Sequence, residues 1–233
     1  LNMSKEVLSA FGLMDEKFEG ANITSKNTNK TLLDGLAMRA QDEPARYAEP
    51  YGKAQKVQKL SEEFFGYLNG LKVDAVQGFE VDPVTKKYPY EQMDKAQGID
   101  YSWFEGDGLS AKGNEIIARF KKYRDDFKSI VGNDVKYKFL LEDIDKRFST
   151  NPIKNKDGQD VDYLDYHFKG FPAIASKAKL SAMQNDVREL EHEAYNLFLG
   201  NSLKLAASMK NYQAMVISDK SVYYQGEPIK YRV

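Results

Sequence analysis

The stretch from Pro172 to Leu199 constrains the fold more than any other part of the chain. Its apolar residues recur at a spacing of 3-4-3-4-3, which places on one helical face Leu180, Met183, Val187, Leu190, Ala194 and Leu197. Proline at the start and Gly200 just beyond the end are typical of helix boundaries. A long helix with one apolar face needs partner helices, so the pattern predicts a helical bundle.

The beginning of the chain carries a similar pattern. A spacing of 4-3-4 predicts a helix from Met3 whose apolar face consists of Val7, Phe11, Met14 and Phe18. A polar stretch over residues 22–30 follows, and the apolar face then resumes at Leu32. The segment is therefore either one long helix or two helices with a kink near Gly20, and Pro44 ends it.

Three more helices are predicted before residue 150. The second begins at Glu49-Pro50, the third runs from Ser110 to Gly132, and the fourth runs from Asp134 to about Phe148. Between the second and third, residues 75–108 are rich in proline and glycine and contain the alternating run Phe79-Glu80-Val81, which predicts a loop-rich insertion with a short hairpin. The predicted fold class is mainly α, an antiparallel helical bundle with this insertion.

After Met209 the apolar residues no longer recur at the spacing of a helix. Residues 212–218, 221–224 and 229–233 are rich in β-branched and aromatic residues, and a turn at 225–228 separates the last two. We therefore predict a helical domain over residues 1–209 and the beginning of a second, β domain over 210–233. So few residues cannot form a complete β-sandwich, so we expect these strands to pair with a second copy or to pack on a neighbouring bundle.

Composition excludes several classes of function. The net charge of −1, from 34 basic and 35 acidic residues, argues against a dedicated nucleic-acid binder. The absence of cysteine excludes disulfides, thiolate metal sites and cysteine nucleophiles. No apolar run reaches the ~20 residues of a membrane span. Because the chain opens without methionine and without a signal peptide, we expect it to be a fragment of a longer protein.

The two histidines are weak candidates for chemistry. His192 lies between Glu191 and Glu193 in a run of mixed charges that reads as a solvated helix face, and His167 lies in an aromatic run. Neither has a second histidine at the spacing of metal ligands. A solvated or locally hydrogen-bonded side chain is therefore favoured over a catalytic or metal-binding role for both.

Two acidic segments invite a functional interpretation. Residues 155–162 resemble a calcium loop, but Ile153 and Leu164 stand where an EF-hand needs oxygen ligands, so an acidic turn is favoured. The loop from Gly98 to Gly108 combines three carboxylates with two large aromatic rings, namely Asp100, Glu105 and Asp107 with Trp103 and Phe104. A glycosidase uses paired carboxylates, but an end cap of the bundle is favoured, with partner binding as a further alternative.

No nucleotide-binding loop and no nucleophile elbow occurs in the sequence. We therefore predict no catalytic residue, no metal ligand, no cofactor and no small-molecule substrate. The chain is predicted not to be an enzyme.

Three stretches resemble the GldM family of gliding-motility proteins, also called PorM. Residues 1–14 resemble the segment that follows the family's transmembrane helix. Residues 168–186 resemble the last helix of its bundle, and residues 212–227 resemble the start of its second periplasmic domain. The three occur in the family's order and bracket the chain, whereas residues 75–160 carry no match.

The resemblance implies a role that the composition alone does not. Such proteins are single-span inner-membrane proteins with a dimeric periplasmic part, in which a helical domain precedes immunoglobulin-like domains. With the membrane protein GldL they form a proton-driven motor for type IX secretion and gliding, and the periplasmic rod carries motion to an outer-membrane-associated ring.

For this chain, the resemblance implies a non-catalytic periplasmic component that forms a homodimer. It would be anchored in the inner membrane by a helix outside this sequence, through which it meets GldL, and would reach ring proteins through later domains. The alternatives are an extracytoplasmic ligand-binding or sensor domain and an enzyme acting on cell-wall glycans, which would rest on the carboxylates of the 98–108 loop.

Overall fold

The computed structural model describes residues 4–200 and the backbone of residues 217–218 and 231–232. The described part is mainly helical, and its α-helices are α1 (Lys5–Asp42), α2 (Pro44–Ala75), α3 (Gln97–Trp103), α4 (Ala111–Val131), α5 (Lys138–Arg147), α6 (Tyr163–Phe168) and α7 (Ala173–Phe198). Two 3₁₀ turns lie at Tyr90–Gln92 and Val135–Tyr137. The strands are β1 (Phe104–Glu105), β2 (Gly108–Leu109), β3 (Ile153–Lys154), β4 (Asp160–Val161), β5 (Ile217–Ser218) and β6 (Tyr231–Arg232), which pair as antiparallel β1–β2, β3–β4 and β5–β6. The helical bundle is confirmed.

The first helix is continuous over 38 residues, or about 57 Å, so the alternative with a kink near Gly20 is wrong. The side chain of Ser4 accepts a hydrogen bond from the backbone N–H of Val7 and so caps its first turn.

The second helix begins at Pro44, not at Glu49 as the sequence analysis predicted, and Pro50 lies inside it. Pro44 already occupies the first turn, where no N–H is needed. Pro50 forfeits one backbone hydrogen bond further along. The helix continues through it because the following turns bury a long apolar face, formed by Val57, Phe64, Leu68 and Leu71.

The last helix occupies the centre of the bundle. Its predicted apolar face is confirmed, since Leu180, Val187, Leu190 and Ala194 are fully buried. That face meets a cluster of aromatic rings from α2, α4 and the end of α5, in which Phe64 stacks on Tyr123 at 4.1 Å and both rings meet Phe148 edge-on. The apolar core therefore lies between α7, α2, α4 and α5.

The bundle is not purely antiparallel. Contacts between α1 and α2 join Glu19 to Lys72 and Lys26 to Glu62, so these two helices run in opposite directions. Contacts between α1 and α7 rise together in sequence number, from Asp15–Lys177 to Asn29–Arg188. The first and last helices therefore run parallel, and the chain begins α1 at one end of the bundle and finishes α7 at the other.

The predicted apolar face of α1 is wrong. Val7 and Met14 are 43% and 46% exposed, and Phe11 and Phe18 are only half-buried. The helix instead buries residues at seven-residue intervals, which are Leu8, Asp15, Asn22, Asn29 and Leu36. The physical reason is that the facing side of α7 is itself polar, so α1 turns polar side chains towards it.

The insertion after α2 forms a strap over the first turns of α1. The ring of Tyr90 lies directly on Gly12, and its hydroxyl donates to Glu16 Oε1 at 2.6 Å. Met93 is fully buried beneath the strap, and the carbonyl of Lys95 accepts a hydrogen bond from Ala173 at the start of α7.

The insertion contains a short hairpin, as predicted. It lies at β1–β2, where Phe104 pairs with Leu109, whereas residues 79–81 form no strand.

At the other end of the chain, β5 and β6 pair antiparallel, with Ile217 opposite Arg232 and Ser218 opposite Tyr231. The predicted immunoglobulin-like domain, its boundary at 210 and its pairing with a second copy otherwise fall outside the described residues and stay predictions.

We expect Gly12→Ala to destabilise the bundle. A Cβ at this position would lie 2.1 Å from Tyr90 Cδ2, so the strap must shift or detach. Overpacking of this kind costs about 1–3 kcal/mol, which outweighs the gain in helix propensity. Urea unfolding measures the change. Gly20→Ala on the same helix is the matched control: its Cβ meets nothing within 4 Å, so it should stabilise the protein by about 0.5–1 kcal/mol. Equal effects of the two variants would contradict the strap contact.

Candidate functional site: a buried polar seam

The helix α1 docks on α7 through a row of polar side chains, which we call the polar seam. It consists of Asp15, Asn22 and Asn29 of α1 with Lys177, Ser181, Gln184, Arg188 and Glu191 of α7, and all eight residues are buried. Buried polar groups are normally hydrogen-bonded, because each unpaired one costs free energy. Each of the eight side chains makes at least one hydrogen bond, although Asn22 Oδ1 and Arg188 Nε have no partner among the described residues.

The half of the seam near the start of α7 is centred on Lys177. Its ammonium contacts the carboxylate of Asp15 and lies 2.8 Å from Glu19 Oε1. The hydroxyl of Ser181 donates to the other oxygen of Asp15 at 2.6 Å. Lys72 of α2 reaches the same Glu19 at 2.9 Å, so three helices meet at one charged cluster.

The other half is centred on Arg188, which is 2% exposed. Its Nη1 lies 2.8 Å from Glu62 Oε1 of α2 and 3.1 Å from Glu191 Oε2. The amide of Asn29 donates to the carbonyl of Arg188 at 2.9 Å and to Glu191 at 3.1 Å. Tyr195 donates to the remaining oxygen of Glu191 at 2.7 Å.

The electrostatics of the seam favour its charged form. Burial opposes ionisation of Glu19, but hydrogen bonds from Lys177 and Lys72 outweigh it and hold the pKa of that carboxyl below its usual value. Burial likewise opposes the charge on Lys177, yet its bonds to Asp15 and Glu19 raise its pKa. Glu62 is ionised for the same reason, since Arg188 overcomes the effect of burial and lowers its pKa.

The arrangement fixes the register of α1 on α7. A shift of one helical turn would separate Asp15 from Lys177 and Asn29 from Glu191, leaving buried charges unpaired. Buried polar residues specify register in the same way in coiled coils. The seam is therefore suited to holding two long helices together as one body.

The polar seam was not predicted from the sequence. The prediction that the mixed-charge run of residues 188–193 is a solvated face is wrong, because Arg188 and Glu191 are each 2% exposed. His192 also faces α1, with Nδ1 3.0 Å from Asn29 Oδ1. The sequence does contain a pattern that indicates the seam. Its polar residues recur every seven positions in α1, at 15, 22 and 29, and at a spacing of 4-3-4-3 in α7, from 177 to 191.

The loop from 98 to 108 has the arrangement described for an end cap. Trp103 and Phe104 are buried, and the indole N–H donates to Asp74 at 3.1 Å. Asp100 accepts a hydrogen bond from the backbone of Gly170, whereas the other two carboxylates of the loop, Glu105 and Asp107, are exposed. The structure thus turns the carboxylates away from the aromatic pair.

The acidic segment at 155–162 forms the β3–β4 hairpin. Asn155 Oδ1 accepts backbone hydrogen bonds from Asp157 and Gln159, and Asp160 pairs with Lys154. Within residues 4–200, no three His, Asp or Glu side chains form a group that could hold a metal ion. His167 lies elsewhere, in α6, and contacts Lys179 of α7.

The fold and the seam define a helical-bundle domain whose distinctive feature is a buried polar interface between parallel helices. The chain matches the GldM N-terminal domain family over residues 6–201, and it belongs to that family. The resemblance recognised in the sequence is thereby confirmed. Among curated proteins there is no match.

Membership in the family implies involvement in gliding motility and type IX secretion. The family is a structural component of a secretion apparatus and is not a known enzyme family. Among the described residues, no helix is both long and apolar enough to cross a membrane.

Lys177→Met should destabilise the protein by about 3 kcal/mol, because it leaves the buried Asp15 without its cation. Urea unfolding measures the loss, and a double variant that also carries Asp15→Leu should recover part of it, since no charge is then left unpaired. Lys30→Met is the control. Its pair with Asp34 is exposed, so the change should stay within about 0.5 kcal/mol. If Lys177→Met behaved like this control, the seam would not hold α1.

Proposed function

We propose that this domain transmits motion along the periplasmic part of a type IX secretion and gliding motor, from the inner membrane towards an outer-membrane-associated ring. In this proposal a membrane helix preceding residue 1 meets GldL, and domains following residue 200 reach the ring proteins. The domain itself is non-catalytic.

One observation carries the proposal: the parallel course of α1 and α7, joined by the polar seam. Displacement or torque applied at the start of α1 is passed to α7 along a row of buried ion pairs and hydrogen bonds. It leaves the bundle at the end of α7, a helix about 39 Å long. Because the seam fixes the register of the two helices, they move as one body. The close-packed core on the other face of α7 adds stiffness.

We further propose that the domain works as a parallel homodimer. Leu8 is 1% exposed and belongs to the bundle, whereas a neighbouring apolar stripe of α1 is at most partly covered and consists of Val7, Phe11, Met14 and Phe18. This stripe follows a 4-3-4 spacing along one side of the helix, beside the buried face. A second copy that packs on it about an axis along the rod would cover the two most exposed members, Val7 and Met14.

The transmission proposal predicts that a flexible insertion after Gly200 uncouples the domain. A Gly-Ser-Gly-Ser insertion there, in the full-length protein in cells, should abolish gliding and type IX secretion, because such a linker behaves as a random coil and carries no torque. The protein level and its thermal stability should be unchanged, since the insertion lies beyond α7.

The same insertion after Asp157 is the matched control. That position lies in the turn between β3 and β4, off the path from α1 to α7, so gliding and secretion should persist. Normal motility with the insertion after Gly200, or equal loss with both insertions, would contradict the proposal.

The dimer proposal is testable by cysteine crosslinking, because the natural chain contains no cysteine. Met14→Cys should yield a disulfide-linked dimer under mild oxidation, since residues beside a parallel two-fold axis bring their Cα atoms within disulfide range. Phe139→Cys on α5, at 56% exposure, is the control and should stay monomeric on a non-reducing gel. Crosslinking of both variants to the same extent would point to random collision and overturn the assignment of the α1 stripe.

A further inference from the structure

A cavity of about 450 Å³ opens on the side of the bundle away from α1, between α5, α6 and α7. Lys146 and Arg147 of α5, Tyr163 and His167 of α6, and Lys179 and Asp186 of α7 line it, together with Ser149 and Asn151 of the following loop. The charged side chains of the lining are thus three cations and one carboxylate.

The three cations are not equivalent. Arg147 is engaged by Asp143, Asp186 and Glu189, so its charge is neutralised locally. Lys179, in contrast, has no carboxylate within 4.0 Å in the described part of the chain. Its ammonium donates to the carbonyl of His167 at 2.8 Å and lies 5.0 Å from the ring centre of Phe171.

His167 adds a second polar group to the cavity. Its Nδ1 lies 3.3 Å from Lys179 Nζ, and because an ammonium can only donate, Nδ1 is the acceptor and Nε2 carries the proton. Burial and, after it, the charge of Lys179 lower the pKa of His167 to about 4, so the ring is neutral at neutral pH. Lys179 and the neutral His167 thus offer hydrogen-bond donors to the cavity, and no carboxylate among residues 4–200 balances the charge of Lys179.

A half-buried ammonium is costly unless an opposite charge compensates it. From the open cavity and the absence of a carboxylate beside Lys179 among the described residues, we propose that this cavity binds the oxyanion of a small ligand, a carboxylate or a phosphate group, with Lys179 as the charge partner and His167 as a hydrogen-bond donor. Ser149 and Asn151 supply neutral donors at the rim. This site is separate from the polar seam.

The two histidines make the test specific, because the chain has only two imidazole C2–H signals. At neutral pH and constant ionic strength, titration with millimolar inorganic phosphate, and separately with acetate, should shift the signal of His167 saturably. His192, which contacts Asn29 of the polar seam, is the internal reference and should not respond. A pH titration in phosphate should show a raised pKa of His167, since a bound anion favours the imidazolium form.

Lys179→Met should weaken the response of His167 at least about tenfold, because it removes a charge-assisted hydrogen bond. Lys156→Met, an exposed lysine in the β3–β4 turn, should leave it unchanged. A response to phosphate alone or to acetate alone identifies the group that the site accepts. No response beyond that to chloride, or a full response in Lys179→Met, would overturn the proposal.

Discussion

The buried ion pair between Asp15 and Lys177 is the interaction on which the attachment of α1 depends. Two charges removed from water are unfavourable alone, so each requires the other, and Ser181 and Glu19 complete their hydrogen bonds. An apolar interface would tolerate small shifts of one helix along the other. A charged interface does not tolerate such shifts, so this ion pair sets the position of α1 on α7. The position of α1 in turn sets that of the strap, which crosses α1 at Gly12, and that of the apolar stripe of α1.

The sequence predicted the elements that follow a simple rule. The apolar face of α7 and the limits of α4, with Ser110 before it and Gly132 after it, follow from spacing and capping alone. The docking face of α1 could not be predicted in this way. Asp15, Asn22 and Asn29 belong to residue types that normally face water, and only the presence of complementary polar groups on α7 makes their burial favourable.

The candidate sites show the same limit. Arg188 and Glu191 were assigned to solvent because mixed charges on a helix usually face it, and their partner Glu62 lies 126 residues away from Arg188 in the sequence. The contact between His167 and Lys179 joins residues on either side of the turn at Gly170. No local sequence pattern predicts this contact. The family could be recognised from the sequence, because recognition depends on which residues occur and not on which distant residues contact one another.

The central position of α7 has a consequence for how the bundle forms. It is the last helix of the described bundle, and its hydrogen bonds to α1 join residues 158 to 166 positions apart. Such non-local contacts slow folding, because the intervening chain must be ordered before they form. During synthesis α1 therefore cannot dock on α7 until nearly the whole domain has been synthesised. In that interval the polar part of its docking face, at Asp15, Asn22 and Asn29, stays hydrated, so the undocked helix exposes less apolar surface than one with a wholly apolar docking face would.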